Sequence, residues 1–160
     1  MIEAIRSWVL KILSFLLPTL FRKIYTHEKL VKLIEVSVSS ENDGIVVNCA
    51  DLPDARAWIE VTNLSPLSLK LVGIEAILYW VGRAAEFKSL QRIVIKPHSK
   101  ERIVIEASLN GRQSEHIKAK NSMDMPRLHV SAYFESTIRE INKQRDIETS
   151  NVRLLNCDSA

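Results

Sequence analysis

Two alternating stretches joined by a Ser-Pro turn constrain this chain more than any other feature. Residues 57–63 place every second side chain on one apolar face, and residues 69–80 resume such a pattern after the turn. Gly73 interrupts the second stretch and predicts a β-bulge or bend. A hairpin of this kind cannot bury its apolar face alone. The pattern therefore predicts a hairpin inside a larger structure of packed sheets.

The same alternation continues to the end of the chain. Turn residues separate about eight short strands, and almost no helical period follows residue 34. This spacing is typical of an antiparallel β-sandwich. We predict an all-β, immunoglobulin- or fibronectin-like sandwich of about 7–8 strands over residues 34–157, opening with a hairpin across the Asp43-Gly44 turn. The stretch from Asn110 to Met125 is the longest polar segment of this region.

Residues 1–33 form a second region, an apolar, amphipathic and helical segment. Polar residues recur every three or four positions on one side of the predicted helix, from Glu3 to Arg22. A wide apolar face and a narrow polar stripe suit a helix lying in a membrane interface. The residues predicted to contact a membrane or a partner are Trp8, Val9, Ile12, Leu13, Phe15, Leu16, Leu17, Arg22 and Lys23.

Two alternatives to an interfacial anchor stay open. A tilted or re-entrant transmembrane anchor is compatible with the sequence, because Lys11 can snorkel toward the interface. A helix docked on the domain itself or on a partner subunit is the other. No small-residue cleavage site follows the apolar run, which argues against a secretory signal peptide. A short helix capped by Thr26 is expected to run to about Lys32, before the first strand.

Charge indicates on which side of a membrane the domain would lie. Arg22, Lys23, Lys29 and Lys32 follow the apolar run, whereas Glu3 offsets Arg6 before it. The positive excess favours the cytoplasmic face and attraction to anionic lipid. The formal net charge of +3 is too small to indicate a nucleic-acid partner. The sequence contains only Cys49 and Cys157, which could form one bridge, but so few cysteines favour two free thiols in a reducing compartment.

No constellation of residues predicts catalysis or metal binding. The four histidines are His27, His98, His116 and His129, and they show none of the usual metal-ligand spacings. We therefore predict no enzyme, no cofactor and no metal. Aromatic residues beside basic ones raise the alternative of a face for RNA or anionic lipid. Its members are Trp58, Tyr79, Trp80, Tyr133, Arg83, Lys88, Arg92, Lys96 and Arg102, and charges that keep the sheets soluble explain the same pattern.

One run of residues is similar to a known family. Trp58–Leu69, with its strand and Asn-Leu-Ser-Pro turn, resembles the segment that opens the late-embryogenesis-abundant type 2 domain, also called the water-stress-and-hypersensitive-response domain. The later Ile95–Ser99 turn and the alternating strand after it are similar to the same family. The resemblance covers roughly residues 35–156 and implies a non-enzymatic domain, often attached to a membrane by an N-terminal hydrophobic segment.

The predicted function is therefore a non-enzymatic, membrane-associated interaction module. In this prediction the N-terminal helix anchors the sandwich, which binds a protein partner or lipid. The alternative is a soluble structural subunit of a larger complex, with the N-terminal helix packed against a partner protein by helix-in-groove contact.

Overall fold

The computed structural model describes residues 18–40, 43–80, 82–119 and 125–157. Strands make up 55% of the described residues and form two sheets, and residues 18–24 form a helix, α1. At this level the predicted all-β class with a preceding helix is confirmed. The immunoglobulin-like topology is a finer statement and is taken up below.

Two further helices follow α1. Helix α2 is His27–Lys32, and the Thr26 side chain caps it by accepting from the Lys29 amide at 3.4 Å. Helix α3 is Gly111–Lys118. It lies in the longest polar stretch, where the sequence shows almost no helical period, so the sequence analysis missed this helix. The signal was Asn110, which forms a reciprocal capping box with Gln113.

The described residues contain more strands than the predicted seven or eight. Breaks at residues 90–92 and 149–151 divide the alternating stretches 87–95 and 145–155, each of which the sequence pattern alone predicts as one strand. The strands are β1 Ile34–Val38, β2 Ile45–Asn48, β3 Asp54–Asn63, β4 Leu69–Tyr79, β5 Arg83–Ser89, β6 Ile93–Ile95, β7 Ser99–Ser108, β8 Arg127–Ser136, β9 Glu140–Glu148 and β10 Val152–Leu155.

The first sheet is built on β3. Strand β7 lies along one side of β3, and both β1 and β2 lie along the other. The predicted opening hairpin is wrong, because β1 and β2 pair with successive parts of β3 rather than with each other. The chain leaves the sheet after Ser39 and returns at Gly44. Trp58 bonds to both, accepting from the Ser39 amide at 2.8 Å and donating to the Gly44 carbonyl at 2.9 Å.

The second sheet has the order β5-β4-β8-β9, with β6 also beside β4. Since β3 and β4 belong to different sheets, the predicted hairpin over residues 57–80 is wrong. Both strands exist, but the turn at residues 64–67 carries the chain from one sheet to the other. The bulge predicted at Gly73 is confirmed, because the register of β4 against β8 shifts between Leu71 and Gly73.

One core lies between the two sheets. Alternate residues of β3, β7 and β8 point into it, as the sequence pattern predicts. The buried members from these strands include Ala57, Ile59, Val61, Ile103, Ile105, Leu128, Val130, Ala132 and Phe134.

A disulfide joins Cys49 to Cys157, with their Cα atoms 4.9 Å apart. The expectation of two free thiols was therefore wrong. Strand β10 runs parallel to β2, with Leu155 opposite Asn48. Each cysteine lies just past the end of one of these strands, so the parallel pairing brings the two side by side across 108 residues of sequence. This pairing also departs from the fully antiparallel sandwich that we predicted.

Candidate functional site

The predicted contact residues fall in two groups. Arg22 and Lys23 lie on α1, and both are exposed. The other seven lie outside the described residues, namely Trp8, Val9, Ile12, Leu13, Phe15, Leu16 and Leu17. The described part of the site is therefore the place where the chain enters the sandwich.

Side chains of the helical segment and of the sandwich together hold α1 in place. The rings of Phe21 and Tyr25 stack with centroids 5.9 Å apart, and both pack against the core. The Arg139 guanidinium, from the turn between β8 and β9, donates to the Arg22 carbonyl at 2.9 Å. The end of α1 thus has a defined position on the domain.

Helix α2 covers the gap between the sheets at the same end. Leu30 is completely buried in the core. The Lys143 ammonium of β9 donates to the Val31 carbonyl at 2.8 Å. Burial, with the nearby charge of Arg145, lowers the pKa of Lys143.

The turn at residues 64–67 joins the same end through Asn63. This side chain is completely buried and donates to the carbonyls of Leu67, Ile95 and Lys96 at 2.7, 3.3 and 3.0 Å. Its oxygen accepts from the Ser65 amide and hydroxyl at 3.0 and 2.7 Å. The Leu64 amide donates to the carbonyl of Leu33, the residue after α2, at 2.8 Å. One hydrogen-bonded unit therefore connects the helices with two turns.

We call this end the helical pole, defined as residues 18–33, 64–68, 96–98 and 136–140. It contains six lysine and arginine residues and two glutamates, whereas the whole chain has a net charge of only +3. Leu20, Ile24 and Leu64 expose 52%, 53% and 40% of their surface there. The pole therefore combines basic groups with exposed apolar side chains, as membrane-contacting surfaces do.

A second candidate is a groove of about 560 Å³ on the outer face of the second sheet. The bulge at Val72 and Gly73 lies beside it, and Leu90 and Tyr133 line it with 74% and 36% of their surface exposed. Two ion pairs flank it, Lys88–Glu75 at 2.8 Å and Lys70–Glu135 at 3.2 Å. The hydrogen bond from Lys88 to Glu75 raises the pKa of that lysine. The groove offers apolar surface with charges at its rim.

A buried carboxylate lies on the outer face of the first sheet. Glu60 is 6% exposed and accepts from the Ser39 hydroxyl at 2.9 Å and from the Lys100 ammonium at 2.7 Å. Arg102 lies 3.6 Å away. The bond from Lys100 and the other polar partners hold the pKa of Glu60 below its usual value. This cluster is a structural network that the sequence analysis missed.

The predicted aromatic and basic face is not assembled. Lys88 lies on the second sheet and Arg102 on the first, and carboxylates neutralise both. Trp80 is buried, and Arg83 pairs with Glu86 at 3.1 Å. The charges of these strands keep the outer faces soluble, which is the second of the two explanations given above.

The described residues contain no group of three or more histidine, cysteine or acidic side chains placed to hold a metal ion. His129 pairs with Asp146 at 2.7 Å across β8 and β9, in a shallow depression that also includes Tyr79. His27 lies at the rim of the groove. Among the helices of the described part, none is long and apolar enough to cross a membrane.

Comparison with known proteins finds likeness only at the level of structure. No protein-family model matches the chain, and no curated protein does. A crystal structure of a protein from Archaeoglobus fulgidus is similar with a TM-score of 0.41 and 13% identity, over 73% of this chain and 95% of that one. A Northeast Structural Genomics Consortium target has a TM-score of 0.49 and 13% identity, over 76% and 90%.

A third solved structure is that of a protein provisionally described as late embryogenesis abundant. It has a TM-score of 0.36 and 17% identity, over 92% of this chain and 86% of that one. At these identities the likeness concerns the fold and transfers no functional residue.

Proposed function

We propose that this protein is a non-enzymatic, membrane-associated interaction module. The N-terminal amphipathic helix within residues 1–33 anchors it, and the sandwich binds a protein partner or lipid at the membrane surface. The observation that supports this most is the attachment of α1, whose Arg22 carbonyl is held by Arg139 at 2.9 Å. Residue 17 immediately precedes this fixed helix, so an anchor formed by the preceding segment would place the helical pole at the bilayer.

The finer family and fold assignments belong to the same proposal. We propose an immunoglobulin- or fibronectin-like topology and a relation to the late-embryogenesis-abundant type 2 domain. The support is the sequence resemblance of Trp58–Leu69 and Ile95–Ser99. The turn in the first of these segments is held by Asn63 in the structure, which gives the resembling residues a physical role.

Vesicle binding by the full chain tests the anchor. We expect co-sedimentation with vesicles, and we expect the double variant Trp8→Asp/Leu16→Asp to remain in the supernatant, because charge on an apolar anchoring face is costly. The matched control is Ser7→Asp/Ser14→Asp, which adds the same charge to the polar stripe. Equal loss in both variants, or no binding by the parent chain, would contradict the proposal. Substitution is preferable to deletion of residues 1–33, since that deletion would remove the buried Leu30.

Two observations bear on the side of the membrane. The positive charge after the apolar run favours the cytoplasmic face, which we retain as the proposal. The Cys49–Cys157 disulfide favours an oxidising compartment. Alkylation of free thiols in intact cells, followed by reduction and mass measurement, distinguishes them: a bridged pair in cells would overturn the cytoplasmic assignment.

The second candidate function is a soluble subunit of a larger complex. The groove beside Gly73 favours it, because it exposes Leu90 and Tyr133 between charged rims as protein interfaces do. Purification with a stoichiometric partner in the absence of detergent would support this function. Substitution of Leu90 by Asp would then release that partner without changing vesicle binding.

A further inference from the structure

We infer that the helical pole is itself a lipid contact, with the Leu64 turn facing an anionic bilayer as a second anchoring point. The inference rests on the proposed function and adds to it a surface within the folded domain. It assigns an orientation to the sandwich, with the helical pole toward the membrane and the other pole away from it.

The charge of the helical pole is complementary to that of an anionic bilayer. Arg22, Lys23, Lys29 and Lys96 are exposed at this pole, and the glutamates in its segments are Glu28 and Glu140. Each basic side chain near an anionic surface contributes attraction that adds to that of its neighbours. The rest of the chain carries slightly more acidic than basic residues, since the pole alone exceeds the net charge of the whole. The attraction is therefore directional.

Exposed apolar side chains lie among these charges. Leu64 exposes 40% of its surface although its backbone is fixed to Leu33 by a 2.8 Å hydrogen bond. Leu20 and Ile24 are about half exposed on α1. Apolar groups held rigidly among basic ones suit shallow insertion below lipid headgroups.

The helical pole is also continuous in sequence with the proposed anchor. Residue 18 follows residue 17 directly, and one residue spans at most about 3.6 Å. An anchor in residues 1–17 therefore cannot leave the pole far from the bilayer. The opposite end of β3 lies about 30 Å away, because ten strand residues rise about 3.3 Å each.

The test uses the full chain, with an environment-sensitive fluorophore on a single added cysteine and the native disulfide left oxidised. Leu64→Cys reports on the helical pole. Leu52→Cys is the control, because it is 87% exposed in the loop before β3 at the other pole. On phosphatidylcholine vesicles containing one quarter phosphatidylglycerol, we expect a blue shift and a roughly two-fold gain in emission at position 64, as for a probe entering the interface. No change is expected at position 52.

A charge-reversal pair tests the electrostatic part. Lys96→Glu changes an exposed side chain of the pole, and Arg112→Glu makes the same change on α3, beyond the other end of the sandwich. We expect Lys96→Glu to weaken binding to the anionic vesicles by about five-fold or more, and Arg112→Glu to leave it within two-fold.

The outcomes separate this inference from the proposed function. If the chain binds vesicles but position 64 shows no shift, or if the two charge variants weaken binding equally, the pole is not the contact and only the anchor remains. If the parent chain binds no vesicles, both proposals fail. Loss of a protein partner in Lys96→Glu with unchanged vesicle binding would also overturn the lipid contact.

Discussion

At the scale of single residues, Asn63 does most to hold the crossing between sheets. Its amide reaches three carbonyls on two turns, and its oxygen accepts from Ser65. A buried polar group with all its partners satisfied fixes one arrangement, whereas removal of the group leaves those partners unsatisfied. The same burial means that an attached glycan at the Asn63-Leu64-Ser65 acceptor sequence is incompatible with the folded chain.

We expect Asn63→Ala to destabilise the protein by about 3 kcal/mol, because several buried carbonyls would lose their donor. Urea unfolding followed by circular dichroism measures the change. Asn142→Ala is the control, since Asn142 is exposed on β9 and its truncation should stay within about 0.5 kcal/mol. An equal change in the free energy of unfolding in the two variants would show that the hydrogen bonds of Asn63 do not contribute to stability.

Glu60 should make stability depend on pH. Its pKa in the folded state lies below the usual value of 4.5. The unfolded chain therefore binds a proton more readily, so the contribution of Glu60 is present above about pH 4.5 and is lost as the pH falls through the folded pKa.

We expect Glu60→Gln to flatten the loss of stability as the pH falls below about 4.5, because the glutamine does not titrate there. Thermal unfolding across this range provides the measurement. Glu106→Gln serves as the comparison, because Glu106 is exposed on the same sheet and pairs with Arg56 at 3.2 Å. A slope unchanged in Glu60→Gln but changed in Glu106→Gln would contradict the assignment.

At the scale of elements, the sequence predicts the strands better than their partners. Alternation locates β3, β4, β7 and β8 because a half-buried strand needs that period. Alternation carries no information on which strand pairs with which. The sequence therefore predicts that β3 pairs with β4, although the two strands belong to different sheets. The contacts that decide this are distant in sequence: the Asn63 side chain bonds to the carbonyls of Ile95 and Lys96, which follow it by 32 and 33 positions. The sequence pattern does not reveal helix α3, because this helix contributes little apolar surface to the core. Its buried apolar residue is Ile117.

The in-line arrangement of β1 and β2 depends on Gly44. A Cβ atom at this position would lie 2.8 Å from the Ser39 carbonyl oxygen and closer still to Val38. We expect Gly44→Ala to destabilise the protein by about 1–3 kcal/mol, because backbone must move to admit the methyl group. Gly111→Ala, with no atom within 4 Å, should be neutral or slightly stabilising in α3. Differential scanning calorimetry of both variants measures the change. An unchanged unfolding temperature in Gly44→Ala would show that the segment between Ser39 and Gly44 accommodates the methyl group without cost.

At the scale of the whole molecule, the disulfide closes most of the domain into one covalent loop. The sequence separation of 108 residues includes β3 to β10. Spacing alone cannot predict such a bridge, since the pairing depends on β10 turning parallel to β2. The candidate site shows the same division: Arg22 and Lys23 could be proposed from the flank of an apolar run. Leu64 and Lys96 join them only through the turns that Asn63 holds.

Reduction of this bridge should cost about 2–4 kcal/mol, because an open chain gains entropy in the unfolded state. We expect hydrogen exchange to rise first in β2 and β10, residues 45–48 and 152–155, because β10 is a short strand at the edge of the sheet. Arg153→Gln is the control that removes the Asp43 ion pair at 2.8 Å but keeps the disulfide. Equal hydrogen-exchange rates in β2 and β10 before and after reduction would show that β10 stays paired without the disulfide.

The parallel course of β10 also decides how the domain would carry a mechanical load. The chain enters beside α1 at one end of the sandwich, and Leu155 lies opposite Asn48, which pairs with Asp54 at the other end. A pull between the two termini would therefore run along the strands. Beyond Cys157 the tension would pass through a covalent bond to Cys49, bypassing the four paired residues of β10. A load applied between the termini would then follow residues 18–49, so that β1 and β2 would slide lengthwise along β3 instead of β10 peeling away from the edge of the sheet.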